Sequence, residues 1–272
     1  MRRGENFEIE ATNHLANKFS SYGVSFKRHL TSDSTSSDIE VLKDGRTLFL
    51  IEAKDKSAQA GQFVLLPDNM TRMFKFSDLN SSSLTDNTLA IIRYMNLHYD
   101  MFSNAGTKGV ELMMDKKIFE EWIKNHYLGL GAKYIISRKR DMFILPISKF
   151  AEYFDVKAVY RVKKSGSREP SKKVTNKVIE KLESELNDAQ LYTEQVGKKQ
   201  KLYVKTTQVS DGLKFNIEEN TFQLSKVKGF SSIYEVRQLS NTNNPNVIFS
   251  IKAKKEQEKI DLEKFINEIC MS

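Results

Sequence analysis

Three charged residues stand at the ends of two strand-like segments early in the chain. Asp38 precedes the alternating segment 39–42, and Glu52 and Lys54 follow the β-branched and aromatic segment 47–51. Mg²⁺ prefers oxygen ligands and usually takes one or two carboxylates together with substrate phosphate oxygens. A neighbouring lysine can orient or deprotonate an attacking water, or offset charge on the phosphate. These residue types therefore indicate Mg²⁺-dependent hydrolysis of a phosphodiester, with Asp38 and Glu52 as metal ligands.

The elements that must position these residues form a predicted β-hairpin. The segment 43–46 contains Asp-Gly, the strongest short hairpin signal, because the turn needs positive φ. Side chains alternate faces along a strand, so Glu52 and Lys54 are expected on one face and Ala53 in the core. The register of the hairpin decides whether Asp38 reaches Glu52. The alternative interpretation is that Glu52 and Lys54 are a strand-end pair on a solvated face.

The order Asp38, Glu52, Ala53, Lys54 resembles the motif of the PD-(D/E)XK nuclease superfamily, and within it the type II restriction endonucleases. The resemblance covers about the first 80 residues, and Ser37 stands where the motif has proline. It implies an α/β (α+β) fold in which helices flank a central mixed β-sheet. It also implies Mg²⁺ as the cofactor, held by Asp38, Glu52 and the backbone carbonyl of Ala53.

The same resemblance implies a type II site-specific deoxyribonuclease that hydrolyses double-stranded DNA. A homodimer is expected, because two strands must be cut and a palindromic site matches two-fold symmetry. One alternative is a structure-specific repair or junction nuclease of the same superfamily. The other is a non-catalytic DNA-binding protein, in which the acidic residues are structural.

Two other carboxylates are candidates for this site. Residues 4–21 have the apolar spacing of a helix, and Glu8 near its start matches a glutamate that leans toward the metal in many superfamily members. The alternative is that Glu8 only complements the helix N-terminus. Asp33 is an alternative first acid, but it lies in the Ser/Thr-rich loop 31–37 rather than at a strand.

The segment that follows Lys54 is predicted to open a helix over residues 55–63. Gln62 on that helix is a possible accessory residue, although the tyrosine that accompanies such a glutamine in some superfamily members is replaced here by Leu66. Residues 88–92 read as a buried strand. Residues 115–127 read as a helix in which Trp122 belongs to the core.

The excess of positive charge lies in the middle of the chain. The formal net charge is +8, and residues 101–200 contain 20 basic and 13 acidic residues. Residues 157–177 begin as a strand, continue as a loop, and hold eight basic residues against one acid. Basic side chains on such a surface neutralise phosphates and release counterions. The predicted DNA contacts in this segment are Lys157, Arg161, Lys163, Lys164, Ser165, Ser167 and Arg168; the alternative is a solvated hinge.

A domain boundary is predicted between a catalytic core, 1–168, and a subregion for DNA recognition and dimerisation, 169–272. The latter is predicted to begin with a helix over 173–192, to continue as mainly antiparallel β structure, and to end in a helix over 256–269. Arg237, Asn241 and Asn243 have side chains that read purine edges. The alternative is an ordinary Asn-rich turn.

Composition excludes several other classes of protein. The single Cys270 excludes a disulfide framework within one chain, and the four histidines lack zinc-ligand spacing. No apolar run approaches membrane-spanning length, and residues 1–20 lack the pattern of a signal peptide. A cytoplasmic protein with no membrane partner is therefore expected.

Overall fold

The computed structural model describes residues 3–29, 36–164, 166–197 and 199–271. Within these residues the chain forms seven α-helices and sixteen β-strands. The helices are α1 (Arg3–Phe19), α2 (Asp86–Leu97), α3 (Tyr99–Ser103), α4 (Lys116–Gly129), α5 (Phe150–Tyr153), α6 (Lys172–Glu185) and α7 (Lys259–Met271). The strands are β1 (Val24–Arg28), β2 (Ile39–Lys43), β3 (Arg46–Ala53), β4 (Ser57–Asp68), β5 (Met73–Phe76), β6 (Val110–Glu111), β7 (Ala132–Arg138), β8 (Met142–Pro146), β9 (Phe154–Lys164), β10 (Ser167–Arg168), β11 (Gln190–Val196), β12 (Lys199–Lys205), β13 (Lys214–Ile217), β14 (Asn220–Lys226), β15 (Ile233–Leu239) and β16 (Asn243–Ala253).

The chain divides into two compact units. The first unit comprises Met1–Arg161 and Pro245–Ser272, and the second comprises Val162–Asn244. The chain leaves the first unit along β9 and returns to it along β16. The helices and strands of these units confirm the predicted α+β class, and the first sheet has both parallel and antiparallel pairs, so it is mixed as predicted.

The first unit is built around a mixed sheet with the order β1-β2-β3-β7-β8. Strand β3 pairs with β2 antiparallel and with β7 parallel. The turn between β2 and β3 places Asp44 and Gly45 at φ of 51° and 75°. Both angles lie in the left-handed region that an Asp-Gly hairpin turn requires, so the local sequence specifies this hairpin.

Helices α1 and α7 cover one face of this sheet. The core there includes Phe7 and Leu15 from α1, Ala53 from β3, and Phe265 and Ile269 from α7. Five ring pairs in or against this cluster have centroids 5.0 to 6.5 Å apart, and the rings of Phe19 and Phe265 are the nearest pair. The apolar face of α7 is thus buried within its own chain.

A second sheet in the first unit has the order β5-β4-β16-β9-β6. Strand β16 pairs antiparallel with β4, and the register shifts between Phe249 and Ser250 where Gly61 lies on β4. Gly61 has a φ of 148°. A Cβ atom added at Gly61 would lie 2.6 Å from Cζ3 of Trp122, so α4 approaches the backbone of β4 closely at this glycine.

The second unit is an antiparallel sheet with one helix. The sheet order is β11-β12-β15-β14-β13, with the short β10 also paired to β15. Its apolar core joins α6 to the sheet and consists of Val178, Leu182, Leu202, Val204, Phe222, Leu224, Tyr234 and Val236.

The predicted division of the chain at residue 168 is corrected by this arrangement. Residues 245–271 belong with the first unit, because β16 inserts beside β4 and α7 packs on the first sheet. These contacts join residues far apart in sequence, so composition and turn signals near residue 170 do not reveal them.

Three predicted elements are also wrong in type or length. The segment 55–63 is predicted as a helix but enters strand β4, and 88–92 is predicted as a strand but lies in helix α2. The helix predicted over 173–192 ends at Glu185, and Gln190 begins β11. In the part of the chain that the structure describes, no helix is both long and apolar enough to span a bilayer.

Candidate active site

The register of the first hairpin brings two carboxylates together. Ile39 of β2 pairs with Ile51 of β3, and the same register continued outward sets Asp38 opposite Glu52. Oδ2 of Asp38 accepts a hydrogen bond from the backbone N–H of Ala53 at 2.9 Å. The condition that the sequence left open is therefore met, because Asp38 lies at the same end of the hairpin as Glu52.

The side chain of Lys54 lies between these carboxylates. Its Nζ is 2.5 Å from Oε1 of Glu52 and 3.7 Å from Oδ2 of Asp38. Its backbone N–H donates to the carbonyl oxygen of Ile136 on β7 at 3.0 Å, which holds the chain in the sheet just beyond β3. Glu52 and Lys54 lie on the face opposite Ala53, as strand alternation predicts, and the structure brings all three expected charged residues into one cluster.

Burial sets the charge state of the cluster. Glu52 is 4% exposed. Burial, with a smaller contribution from the Asp38 charge, outweighs the Lys54 ammonium and raises the pKa of Glu52 to about 7. For Lys54, burial favours the neutral amine, but the Glu52 charge and smaller effects of Tyr127 and Asp38 hold its pKa well above the usual value. Lys54 is therefore an ammonium at neutral pH.

Ser37 is fully buried at the position where the resembled motif has proline. Its Oγ donates to the carbonyl oxygen of Leu130 at 3.4 Å. When the same hydroxyl donates to Glu52 instead, it helps to hold down the pKa of that carboxyl. The serine thus joins the hairpin to the end of α4 and supports the ionised form of Glu52, which a proline side chain does not do.

Helix α4 contributes Tyr127 to the wall of the site. The centroid of its ring lies 5.8 Å from Nζ of Lys54, and the residue is 1% exposed. Its Oη is buried and has no hydrogen-bond partner among the residues that the structure describes. Sequence reasoning missed Tyr127, since its only signal is the helical spacing that it shares with the core residues Phe119, Trp122 and Ile123.

A cavity of about 300 Å³, lined by both polar and apolar residues, lies along the same end of α4. The residues that line it are Ser81, Ser82, Ser83, Thr85, Trp122, Asn125, His126, Gly129 and Leu130. Leu130 is also the partner of Ser37, so this cavity adjoins the carboxylate cluster. Trp122 is core, as expected, and its Nε1 donates to Oγ1 of Thr88 at 3.1 Å.

The other candidates near the hairpin have different surroundings. Glu8 of α1 pairs with Arg28 at the end of β1, at 3.2 Å between Oε2 and Nη1. Gln62 is exposed on strand β4, not on a helix, and its Oε1 accepts from Nε2 of Gln59 at 3.1 Å. Asp33 lies outside the described residues.

The donor set fits a hard divalent cation. Two carboxylates converge, and in this structure a cationic group, the Lys54 ammonium, lies within 4 Å of both. No group of three or more His, Cys, Asp or Glu side chains suited to a metal occurs in the described ranges. A pair is nevertheless what Mg²⁺ commonly takes from a protein when substrate phosphate completes its coordination.

The basic side chains of strand β9 differ in whether they already have partners within the protein. Lys157 is exposed, and its Nζ lies 3.4 Å from Oε1 of Glu111. The side chains of Arg161 and Lys163 make no hydrogen bond or ion pair with another described residue. Nζ of Lys164 donates to the carbonyl oxygen of Asn241 at 3.4 Å. Arg161 and Lys163 are therefore the residues of this strand whose donors are most available to a ligand.

In the second unit, three of the predicted DNA-contact residues line one cavity of about 440 Å³. These are Ser167, Arg168 and Asn241, and the cavity is completed by Gly166, Asn220, Gln238, Leu239 and Ser240. The amide nitrogen Nε2 of Gln238 donates to Oδ1 of Asn220 at 2.7 Å. Asn243 is exposed at the start of β16, and Ser165 lies outside the described residues.

Arg237 differs from these residues because its guanidinium is engaged inside the second unit. Nη1 donates to Glu169 at 3.0 Å and to Glu235 at 2.7 Å. Nη2 donates to the carbonyl oxygen of Ser167 at 2.8 Å, and Nε donates to its hydroxyl at 3.3 Å. A base-reading role for Arg237 would require it to release some of these contacts.

Comparison with known proteins gives one structural likeness. No protein-family model matches the sequence, and no curated protein matches it. Among solved structures, the chain is similar to HhaI endonuclease in complex with DNA, with 29% sequence identity and a TM-score of 0.73. The likeness covers 98% of this chain and 99% of the other. The chain therefore has a type II restriction endonuclease-like fold.

Proposed function

We propose that the protein is a Mg²⁺-dependent endonuclease that cleaves double-stranded DNA at specific sequences, as type II restriction endonucleases do. The observation that carries the proposal is the convergence of Asp38, Glu52 and Lys54 at one end of a hairpin. The chain that holds this cluster is similar over nearly its whole length to an endonuclease solved with DNA.

The chemistry assigns a role to each side chain of the cluster. Asp38 and Glu52, with the backbone carbonyl of Ala53, would hold Mg²⁺. When bound, the metal lowers the pKa of a water and stabilises the leaving oxygen. Because the Glu52 charge holds the pKa of Lys54 well above its usual value, we assign its ammonium the part of a hydrogen-bond donor. It would orient the attacking water or offset charge on the scissile phosphate.

Several residues outside the cluster would support this reaction. Glu8 is a further proposed metal ligand, and Gln62 is a proposed accessory residue. Arg161, Lys163 and Arg168 would neutralise DNA phosphates, because each has unengaged donors. The hydroxyl groups of the cavity beside α4 are suited to hydrogen bonds with phosphate oxygens as well.

A homodimer is proposed for the active form, because both strands of a palindromic site would then meet equivalent active sites. The apolar face of α7 is unavailable for this contact, since Phe265 and Ile269 are buried in the core of the first unit. Sedimentation of the protein, alone and with duplex DNA, would measure the stoichiometry.

The test is digestion of a plasmid of known sequence with Mg²⁺, followed by sequencing of the fragment ends. Discrete fragments with a common end sequence are expected. Asp38→Ala and Lys54→Ala should bind DNA but cut it at least roughly 100-fold more slowly. Lys56→Ala is the matched control, because Lys56 is an exposed lysine two residues beyond Lys54.

Three outcomes would contradict the proposal. Full activity of the Asp38 or Lys54 variant would show that the site is wrongly assigned. Cutting confined to branched or damaged DNA would indicate a structure-specific nuclease, and failure to bind Mg²⁺ or Mn²⁺ would indicate a non-catalytic DNA-binding protein.

A further inference from the structure

Lys54 occupies the space between the two carboxylates that the proposed function gives to a metal. Its Nζ lies 2.5 Å from Glu52 and 3.7 Å from Asp38, so one cation neutralises both oxygens. A divalent cation bound by the same oxygens cannot coexist with the ammonium in that position, because the two positive charges would repel at contact distance. A divalent cation held by these two oxygens, Oε1 of Glu52 and Oδ2 of Asp38, therefore displaces the ammonium of Lys54, which then needs another acceptor.

Tyr127 offers such an acceptor beside the ammonium. Its ring centroid lies 5.8 Å from Nζ of Lys54, and its phenol oxygen has no partner among the described residues. Other buried tyrosines do have partners: the hydroxyl of Tyr153 donates to Asp261 at 2.7 Å, and that of Tyr160 donates to the carbonyl oxygen of Leu65 at 3.1 Å. The missing partner is therefore a local property of Tyr127 and not a general feature of these tyrosines.

A packing role alone does not explain the hydroxyl. A buried polar group without a partner destabilises the protein, and phenylalanine would fill the same space without that cost. The group becomes useful if its oxygen receives a hydrogen bond in another state of the site. The ammonium of Lys54 is the nearby donor that must change partners.

We infer that Tyr127 is a positioning residue for Lys54. The phenol oxygen of Tyr127 accepts a hydrogen bond from the ammonium when a divalent cation takes the carboxylates of Asp38 and Glu52. This inference rests on the proposed function and extends it. The ring of Tyr127 limits how far the ammonium travels, so Lys54 stays beside the site instead of turning into solvent. In this position its remaining N–H groups are free to donate to a substrate phosphate.

The variant Tyr127→Phe tests the inference, because it keeps the ring and removes only the hydroxyl. Without metal, the variant should unfold at the same temperature as the wild type or a higher one, since it loses a polar group that had no partner. Its affinity for Mn²⁺ alone, measured by calorimetry, should fall roughly tenfold, because the displaced ammonium loses its acceptor. The Mg²⁺ concentration for half-maximal cleavage should rise by a similar factor.

Tyr160→Phe is the matched control. It also removes one buried tyrosine hydroxyl from the first unit, but that hydroxyl has a structural partner, the carbonyl of Leu65. It should therefore lower the unfolding temperature and leave the affinity for Mn²⁺ unchanged. Tyr127→Phe is thus expected to weaken metal binding without lowering stability, and Tyr160→Phe to lower stability without weakening metal binding.

The outcomes separate this inference from the function on which it rests. If the wild type cuts DNA and Tyr127→Phe keeps wild-type Mn²⁺ affinity and Mg²⁺ dependence, the inference is overturned and the function stands. A lower unfolding temperature of metal-free Tyr127→Phe would also overturn it, since the hydroxyl would then have a structural partner. If the wild type neither cuts DNA nor binds Mn²⁺, both are overturned. If it binds Mn²⁺ without cutting, the function falls, and the Mn²⁺ affinity of Tyr127→Phe decides the inference.

Discussion

The ammonium of Lys54 lies 2.5 Å from the carboxylate of Glu52, two residues away on the same face of the chain. Despite this contact, burial raises the pKa of Glu52 to about 7. The Glu52 carboxyl therefore gains and loses its proton near neutral pH, whereas a glutamate in solution is already ionised well below neutral pH. The proton and a metal then compete for the same oxygen atoms.

Metal-dependent cleavage should consequently rise with pH. Below the pKa of Glu52 the carboxyl is protonated and is a poor ligand, and above it the ionised ligand is fully present. At subsaturating Mg²⁺ the cleavage rate should increase up to about tenfold per pH unit below about pH 7 and level off above it. Single-turnover rates across this range measure the effect, with DNA binding recorded in parallel as the control. A rate that does not change through pH 7 would contradict the assignment of Glu52 as a ligand.

Removing the ammonium should favour metal binding while abolishing cleavage. In Lys54→Met the carboxylates no longer hold a competing cation, so Mn²⁺ should bind roughly tenfold more tightly once the pH is high enough to ionise Glu52. Cleavage should still be lost, because the donor to the substrate is missing. Lys56→Met should change neither quantity. Weaker Mn²⁺ binding in Lys54→Met would mean that the ammonium does not occupy the metal position.

Close packing at Gly61 predicts a loss of stability on substitution. In Gly61→Ala the new Cβ would lie 2.6 Å from Cζ3 of Trp122, and the backbone would keep a φ of 148° that alanine rarely adopts. The free energy of unfolding should fall by about 1–3 kcal/mol, measured by urea denaturation. Gly129→Ala is the control, because nothing lies within 4 Å of its added Cβ. Equal stability of both variants would show that β4 and α4 separate easily.

Two arginines of the second unit should differ in what they contribute. Arg168 is exposed and has no ion pair with a described residue, so Arg168→Ala should weaken DNA binding and reduce the salt slope by about 1. Arg237 holds Glu169 and Glu235, so Arg237→Ala should lower the free energy of unfolding by about 1–3 kcal/mol. Fluorescence anisotropy at several salt concentrations and urea denaturation measure the two effects. Interchanged results would mean that Arg237, not Arg168, contacts DNA.

Local sequence accounts for the hairpin that carries the candidate site. The Asp-Gly turn and the apolar segments on both sides specify β2 and β3, and strand alternation places Ala53 opposite Glu52. The same alternation identified β9 as a basic strand. In these segments each residue type agrees with the strand that forms, so neighbouring residues are enough for the prediction.

Segments without such agreement were predicted wrongly. Residues 88–92 are a short apolar run, which has no period long enough to separate a strand from a buried helix. Their helix is set by Thr85, whose Oγ1 accepts from the backbone N–H of Thr88, and by the contact between Thr88 and Trp122. Residues 57–63 become a strand because β16 supplies their pairing partner from elsewhere in the chain.

The sequence by itself determined the three charged residues, the hairpin that carries them and the α+β class. Only the tertiary structure decided that Asp38 lies opposite Glu52, that Lys54 stands between them, and that Tyr127 closes the site. It also decided that the last strand and helix return to the first unit. The physical reason is the range of the contacts. Turn chemistry and side-chain alternation act between neighbouring residues, whereas the register of a hairpin, the contact of Lys54 with Tyr127 and the pairing of β4 with β16 depend on residues farther along the chain.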